Sequence, residues 1–307
     1  MLTLRVGKGH DIPTISQALA QVPPEQPLTL LLAGEEFCEK VFCERSVLHL
    51  VGAGPEKTKI LWQDGAFDQH ADGRKNGTFR SYTAFFDGDR LIAENLTIEN
   101  AAGDGRLRGQ AIAAAVYTRY AWFKNVHFLS FQDTLFLGPL PEKERLPDGF
   151  RGPRQHAPRI PTHQLYEDCQ VTGDVDFIFG GGDALFRRCQ FHLVGNRVAY
   201  LAAPCTIQGG LGFIFDRCSI TSDKLRQLYL ARPWRTGARA VFLNCDTGDA
   251  VALQGFDAWQ CALGSFEFLE YPASQEKHDY SCVISSEEAD GWLQTADRLE
   301  RTVKMEF

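Results

Sequence analysis

Hydrophobic and polar positions recur in an imperfect repeat along most of the chain. Six apolar or cysteine residues, which we call anchors, each follow directly on a polar residue, and the fourth residue before each anchor is always apolar. In five of the six cases the third residue before the anchor is aromatic. The anchors are Leu96, Val126, Cys169, Cys189, Cys218 and Cys245, and the polar residues before them are Asn95, Asn125, Asp168, Arg188, Arg217 and Asn244. Their spacings of 30, 43, 20, 29 and 27 residues predict a structural unit of about twenty residues that loops lengthen.

This repeat predicts a solenoid of short strands. One unit cannot bury its inner face alone, so equivalent positions stack into ladders of aromatic and small apolar side chains. The polar residue before each anchor suits a sharp turn between two strands, because Asn and similar residues tolerate the left-handed backbone conformation. A β-sandwich also has many short strands, but it does not require this alignment. We therefore predict an all-β fold, a single-stranded right-handed parallel β-helix, as one domain over residues 1–307.

The two ends of the chain carry different patterns. Residues 1–6 predict a short strand, residues 14–20 predict a short helix that ends before Pro23, and residues 28–32 predict an apolar strand. Glu39 follows in an acidic turn, where a structural role near the start of the solenoid is favoured over a catalytic one. Leu299, Val303 and Met305 lie in a C-terminal stretch that predicts a short helical segment packed on the solenoid.

Composition excludes several classes of function. The 307 residues are 44% hydrophobic and contain no apolar stretch of the length that a membrane span needs, so no membrane partner is expected. The formal net charge of −7 disfavours a general nucleic-acid binder. Residues 1–11 lack the continuous apolar region of a secretory signal, which leads us to expect a cytoplasmic protein, with a secreted mature form as the alternative.

The nine cysteines are interpreted as structural. Four of them are anchors of the repeat, where a reduced thiol serves as a small apolar residue, although disulfide bonds are an alternative. No Cys-x-x-Cys or Cys/His grouping indicates zinc, so no metal site is predicted.

Candidate chemistry is concentrated between Gly109 and Trp234. Asp133 and Asp176 interrupt apolar runs, where a carboxylate is costly to bury unless a partner stabilises it. One coil apart on a β-helix they become neighbours, because adjacent strands lie about 4.8 Å apart. One acid can then act as a nucleophile and the other as a proton donor, although paired carboxylates also serve glycoside hydrolysis. Gln110 and Gln132 supply amide donors suited to an oxyanion, which favours acyl transfer.

Arg232 adds a fork of N–H donors that can hold one of the two carboxylates ionised. Each of these polar residues has a plain structural alternative, a turn or a surface ion pair. Their joint occurrence favours a catalytic site.

Four ordered motifs resemble those of the pectin methylesterases. They are Gly109-Gln110-Ala111, Gln132-Asp133-Thr134-Leu135, the segment from Gly173 to Gly180 with Val175-Asp176-Phe177-Ile178-Phe179 at its centre, and Leu230-Ala231-Arg232-Pro233-Trp234, within 126 positions. The resemblance implies the same β-helix and hydrolysis of galacturonate methyl esters in pectin or methylated oligogalacturonides. It implies neither a metal nor an organic cofactor.

The resemblance also implies a role for each matching residue. Asp176 is the implied nucleophile, and Asp133 is the implied general acid and then base. Gln110 and Gln132 bind the oxyanion, and Arg232 orients Asp176. The implied substrate-binding residues are Trp234, Phe177 and Phe136, with core packing as the alternative for Phe177.

This chain departs from the family pattern at several positions. Ala231 replaces Gly, Phe136 replaces a common Tyr, and Asp174 replaces Thr and adds a carboxylate, which a regular strand would place on the face opposite Asp176. These departures favour short methylated oligogalacturonides in a cytoplasm as substrate. The alternatives are a β-helix glycoside hydrolase or lyase acting on pectin, although the Asp-Asp and Gly-His-Gly runs of the hydrolases are absent, and a non-catalytic carbohydrate-binding solenoid.

Residues 138–162 form a predicted loop insertion between the two acids. The segment has six prolines and eight charged residues, and it is longer than the usual connection. A tolerated surface insertion is the favoured interpretation. The alternative is a basic lid in which Arg151, Arg154 and Arg159 grip galacturonate carboxylates or shorten the cleft.

Overall fold

The chain folds into a parallel β-helix. The computed structural model describes residues 1–195, 197–222, 225, 227–273 and 278–307. Within these residues, every pairing between the strands named below is parallel. Consecutive coils thus lie on top of one another, as the repeat predicts.

The strands form three rows along the solenoid. The longest row consists, in spatial order, of β1 (Leu2–Val6), β2 (Leu28–Leu32), β5 (Val47–Val51), β8 (Arg90–Asn100), β10 (Tyr120–Leu129), β12 (His163–Glu167), β15 (Asp183–Arg187), β18 (Phe213–Asp216), β21 (Arg239–Leu243), β22 (Glu267–Tyr271) and β23 (Cys282–Val283). The second row consists of β3 (Glu36–Cys38), β6 (Lys59–Trp62), β13 (Gln170–Gly173), β16 (Gln190–Leu193) and β19 (Ser219–Ser222), joined through the long strands β8 and β10. The third row is a separate seven-stranded sheet of β4 (Val41–Glu44), β7 (Ala84–Asp87), β9 (Ala114–Val116), β11 (Leu135–Leu137), β14 (Val175–Gly180), β17 (Ala199–Pro204) and β20 (Leu228–Ala231).

The predicted aromatic position forms a continuous stack inside the solenoid. Strand register aligns these side chains, and their rings lie nearly parallel, tilted by no more than 11° from one to the next. The centroid distances are 5.0 Å for Phe123 to Tyr166, 4.6 Å for Tyr166 to Phe186, 5.1 Å for Phe186 to Phe215 and 4.5 Å for Phe215 to Phe242. Stacked aromatic side chains bury large apolar areas, so this ladder is a main source of cohesion between coils.

The polar residue before each anchor has the predicted left-handed backbone. Its φ lies between 51° and 58° at all six positions, including Arg188 and Arg217, which adopt this conformation less readily than Asn. The prediction of a sharp turn between two strands is therefore confirmed.

The cysteine anchors also confirm their structural interpretation. All nine cysteines lie within the described residues and are free. Each anchor thiol donates to the carbonyl oxygen of the aromatic residue one coil earlier: Cys169 to Phe123 at 3.5 Å, Cys189 to Tyr166 at 3.3 Å, Cys218 to Phe186 at 3.3 Å and Cys245 to Phe215 at 3.4 Å.

Three α-helices and one 3₁₀ turn complete the described part of the fold. They are α1 (Ile15–Ala20), the 3₁₀ turn Thr78–Arg80, α2 (Gly105–Arg108) and α3 (Ser286–Met305). The Glu39 carboxylate accepts hydrogen bonds from the backbone N–H groups of Ile15 and Ser16 at 2.7 and 2.9 Å, so it caps α1, in agreement with its predicted structural role.

The C-terminal helical segment was expected to be short, but α3 has 20 residues. It packs outside the solenoid on the apolar residues that lie four before the anchors, among them Leu165, Leu185 and Ile214. This contact explains why an outward-facing position of the repeat is always apolar. Within the described residues, neither α3 nor a shorter helix is long and apolar enough to cross a membrane.

Candidate active site

A cleft of about 360 Å³ runs along the seven-stranded sheet. Its lining includes all five predicted catalytic residues, Gln110, Gln132, Asp133, Asp176 and Arg232, together with Trp234. Strand register explains this convergence, because Ala114, Leu135, Ile178, Ala202 and Ala231 lie level on five consecutive strands. Residues a few positions from these therefore meet at one place, although they are distant in sequence.

Asp133 and Asp176 lie on neighbouring coils. Leu135 pairs with Ile178, and Asp133 and Asp176 lie two positions before these residues, Asp133 just ahead of β11 and Asp176 within β14. The two aspartates are level, since the Asp133 N–H donates to the Val175 carbonyl at 2.9 Å. Both aspartates have left-handed backbones, with φ of 64° and 51°. The prediction that the two acids are one coil apart is confirmed.

A β-bulge directs Asp176 into the cleft. Between β14 and β17 the pairing shifts by one residue, from Val175 with Tyr200 to Ile178 with Ala202. A bulge interrupts the alternation of side chains and re-aims one of them, as occurs beside many active sites. The strand is therefore not regular here, and the condition under which Asp174 would lie on the face opposite Asp176 is not met.

Arg232 holds Asp176 in a forked ion pair. Its Nε donates to Asp176 Oδ1 at 2.7 Å and its Nη2 donates to Oδ2 at 2.6 Å, with both side chains largely buried. The guanidinium lies 3.9 Å from the Tyr200 ring centroid and 3.8 Å from that of Trp259. Asp257 holds the Tyr200 ring and the backbone of Trp259, since it accepts from the Tyr200 hydroxyl at 3.0 Å and from the backbone N–H of Trp259 at 2.7 Å. Arg232 thus has little freedom to leave the carboxylate.

The two carboxyls differ in electrostatic environment. Burial and then the charge of Asp176 raise the pKa of Asp133 well above its ordinary value, and Arg232 opposes this increase. Burial also raises the pKa of Asp176, and the hydrogen bonds and charge of Arg232 oppose this increase without reversing it. Because Arg232 is bonded to Asp176, the ionised form belongs to Asp176 and the proton to Asp133. This is the division of labour that a nucleophile and a general acid require.

A second ion pair orients Gln132. Asp174 is 2% exposed and accepts from Arg197 Nε at 2.8 Å and from Arg197 Nη2 at 3.1 Å. Arg197 Nη2 also donates to Gln132 Oε1 at 3.0 Å. A guanidinium only donates hydrogen bonds, so it fixes the amide with its oxygen towards Arg197 and leaves the N–H₂ group for other acceptors.

The start of α2 packs closely against this pair. A Cβ at Gly105 would lie 2.7 Å from both Arg197 Nη2 and Gln132 Oε1. Any side chain here would therefore displace the amide of Gln132.

The predictions that Phe177 and Phe136 bind substrate are wrong, because neither ring is exposed. Phe177 is fully buried in the solenoid core, because it follows Asp176 and points inward where Asp176 points outward. Phe136 faces outward but is also fully buried, covered by Phe79, Tyr117 and Phe179 at centroid distances of 5.0 to 5.1 Å. Neither ring can stack on a sugar. Trp234 lines the cleft and is half-buried, so its role in substrate binding stays a prediction.

The 138–162 insertion forms one wall of the cleft. Arg145, Leu146, Gly149 and Phe150 line it, so the favoured interpretation of a mere surface insertion is wrong. Phe150 packs edge-on against Trp234, with centroids 6.3 Å apart.

The three arginines named for a basic lid have structural roles instead. Arg151 pairs with Asp148, and Arg154 pairs with Asp87 at 2.7 Å. Arg159 donates to the carbonyl groups of four residues of the insertion itself. These contacts hold the insertion in place, whereas none of the three side chains lines the catalytic cleft.

Four residues of the site were not predicted from the sequence, namely Arg197, Tyr200, Trp259 and Asp257. The unusual Asp174 was a signal for Arg197, because a buried extra carboxylate requires a cationic partner. The sequence holds no comparable signal for Tyr200, Trp259 and Asp257, the residues around Arg232. Within the described part of the chain, no group of three or more His, Cys, Asp or Glu residues is arranged to hold a metal ion.

The sequence of this chain matches a known protein family. The sequence model of the family described as Pectinesterase matches residues 5–139 and 158–282. The chain belongs to the Pectinesterase family. The matched segments contain every predicted catalytic residue, whereas residues 140–157, the cleft wall, lie outside the family match.

Two members of the pectinesterase family from Arabidopsis thaliana illustrate the similarity. Pectinesterase 31 is 30% identical over 258 residues, which cover 80% of this chain and 74% of that protein. Pectinesterase/pectinesterase inhibitor 43 is 30% identical over 280 residues, which cover 84% of this chain and 35% of that protein. The chain spans about a third of the length of the first curated relatives that it matches.

A solved pectinesterase-family structure has the same fold. A pectin methylesterase in complex with a hexasaccharide matches this chain with a TM-score of 0.75 at 22% identity, covering 95% of this chain and 96% of that one. This likeness confirms the predicted right-handed parallel β-helix.

Proposed function

We propose that this chain hydrolyses methyl esters of galacturonate residues, releasing methanol and a free carboxylate. The observation that carries the proposal is the pair of adjacent aspartates on neighbouring coils. Asp176 forms a forked ion pair with Arg232, and Asp133, which has no such ion pair among the described residues, has a pKa raised well above its ordinary value. Family membership supports the same activity, and the hexasaccharide bound to a structural neighbour supports a pectic oligosaccharide as the ligand.

The first half-reaction forms an acyl-enzyme. A carboxylate oxygen of Asp176 attacks the carbonyl carbon of the methyl ester, and the carbonyl oxygen becomes an oxyanion. The Gln110 and Gln132 amides donate hydrogen bonds to that oxygen as its charge develops. The tetrahedral intermediate then collapses, the bond to the methoxy oxygen breaks, and Asp133 gives its proton to that oxygen, so methanol leaves.

The second half-reaction consumes water. Asp133, now ionised, takes a proton from a water molecule, and the resulting hydroxide attacks the acyl carbon. The bond to Asp176 breaks, which restores its carboxylate beside Arg232. Asp133 ends protonated, so one water is consumed and one methanol released for each ester, and the enzyme is unchanged.

The substrate that we propose is a short methylated oligogalacturonide. The insertion walls one side of the cleft, and the net charge of −7 disfavours a long unesterified polyanion. We further propose that the protein works in a reducing compartment such as the cytoplasm, since its anchor thiols are free and buried or nearly so.

The proposal is tested by methanol release from methylated oligogalacturonides, with and without EDTA, for the wild type and Asp176→Asn. We expect release that is insensitive to EDTA and abolished by the substitution. New reducing ends or unsaturated products without methanol would overturn the proposed reaction and favour a hydrolase or a lyase.

A further inference from the structure

The wall of the cleft formed by residues 140–157 lies between the two segments that match the family and outside both of them. Arg145, Leu146 and Phe150 from this segment line the same cleft as Asp176. The segment therefore alters the part of the protein that meets a substrate, and its chemistry bears on which substrate is accepted.

Two arginines meet on this wall without a carboxylate partner. Arg145 Nη2 donates to the Trp234 carbonyl oxygen at 3.0 Å, and Arg235 Nη1 donates to the same oxygen at 2.8 Å. Among the described residues neither guanidinium takes part in an ion pair. Two guanidinium groups bonded to one carbonyl oxygen lie close enough to repel each other, and burial and then the charge of Arg145 lower the pKa of Arg235. An anion from outside the protein would relieve this repulsion.

The position of the pair relative to the reacting groups is also defined. The Arg145 guanidinium lies 4.4 Å from the centroid of Trp259, the ring that covers Arg232 at 3.8 Å. The charge of Arg145 also acts on Asp176, where it opposes the rise in pKa that burial causes. An anion held by Arg145 and Arg235 would thus lie in the same cleft as Asp176, beside the reaction centre.

We propose that Arg145 and Arg235 form a subsite for the free carboxylate of a galacturonate residue adjoining the methyl ester that is cleaved. This inference rests on the proposed function. Each guanidinium has N–H groups beyond the one used on Trp234, and a planar fork matches a carboxylate well. The subsite makes the enzyme favour partly de-esterified oligomers over fully esterified ones, despite its negative net charge.

The test separates binding from turnover by using trigalacturonate, which has no ester to cleave. Isothermal titration calorimetry compares the wild type with Arg145→Gln, Arg145→Lys and the matched control Arg151→Gln, which removes an arginine of the same insertion outside the cleft. We expect Arg145→Gln to weaken binding about tenfold, since a charged hydrogen bond is lost at a partly exposed site. Arg145→Lys keeps the charge and should restore part of the loss, and Arg151→Gln should bind like the wild type. Thermal unfolding checks that each variant is folded.

Methanol release from partly methyl-esterified trigalacturonate reports separately on the proposed function. Equal binding of trigalacturonate by Arg145→Gln and the wild type would overturn the subsite, whatever the esterase assay shows. A tenfold loss of binding in a protein that releases no methanol would support the carboxylate subsite and reject the esterase reaction.

Discussion

Replacing Arg197 by methionine tests whether this residue positions Gln132 or only neutralises Asp174. Arg197 is about a quarter exposed, whereas Asp174 is 2% exposed, so the substitution leaves a buried carboxylate with the Val175 N–H as its main hydrogen-bond donor. Removing one partner of a buried ion pair lowers the free energy of unfolding by about 3–5 kcal/mol. Because Arg197 is partly exposed, we expect the lower end of this range, about 3 kcal/mol. The free energy of unfolding should therefore fall by that amount in a urea titration.

The effect on catalysis has a different origin. Without Arg197 the side-chain amide of Gln132 can flip and exchange the positions of its oxygen and nitrogen. Its N–H₂ group then faces the cleft for only part of the time. Loss of an oxyanion donor costs about 10²- to 10³-fold in kcat, and a donor that is misplaced part of the time should cost about tenfold. The assay is kcat and KM for methanol release, where kcat should fall and KM should change little.

A double variant separates the two roles. Asp174→Asn with Arg197→Met removes the unpaired charge, so most of the lost stability should return, while kcat should stay low because Gln132 still lacks its anchor. If the double variant regained the wild-type kcat, Arg197 would act only by neutralising Asp174, and the reasoning about Gln132 would be refuted.

Three further predictions follow from other parts of the structure. The raised pKa of Asp133 means that the native state keeps a proton that the unfolded chain loses near its ordinary pKa of 3.8, so the unfolding free energy falls as pH rises from about 4 through the native pKa. Asp133→Asn should thus stabilise the protein at pH 8, with a difference in Tm that shrinks towards pH 4; a constant difference would contradict the raised pKa. Phe186→Ala, in the middle of the aromatic ladder, should cost about 3–5 kcal/mol in chemical unfolding because the ring is fully buried between two others, and a loss below about 1 kcal/mol would show that the coils do not depend on the stack. Glu39→Ala should cost about 1 kcal/mol through the lost cap of α1 and leave kcat unchanged, whereas a large fall in kcat would assign Glu39 to the active site.

The sequence by itself determined the repeating part of this protein. Aromatic side chains at one position, cysteines at another and polar residues in left-handed turns each reflect local stereochemistry that recurs in every coil. Since each coil contacts mainly its neighbours, a pattern read along the chain translates directly into stacking. The four motifs lie within this regular part, so the convergence of Asp133, Asp176 and Arg232 followed from strand register.

Only the tertiary structure decided where that regularity ends. A bulge at Asp176 changed which side chains face the cleft, and Phe136 became buried because residues distant in sequence cover it. Arg197 and Arg145 lie on irregular segments, and no period relates them to Gln132 or Trp234. The physical reason is that a loop takes its position from contacts with other parts of the fold, whereas a coil takes its position from its own sequence and the coil beneath it.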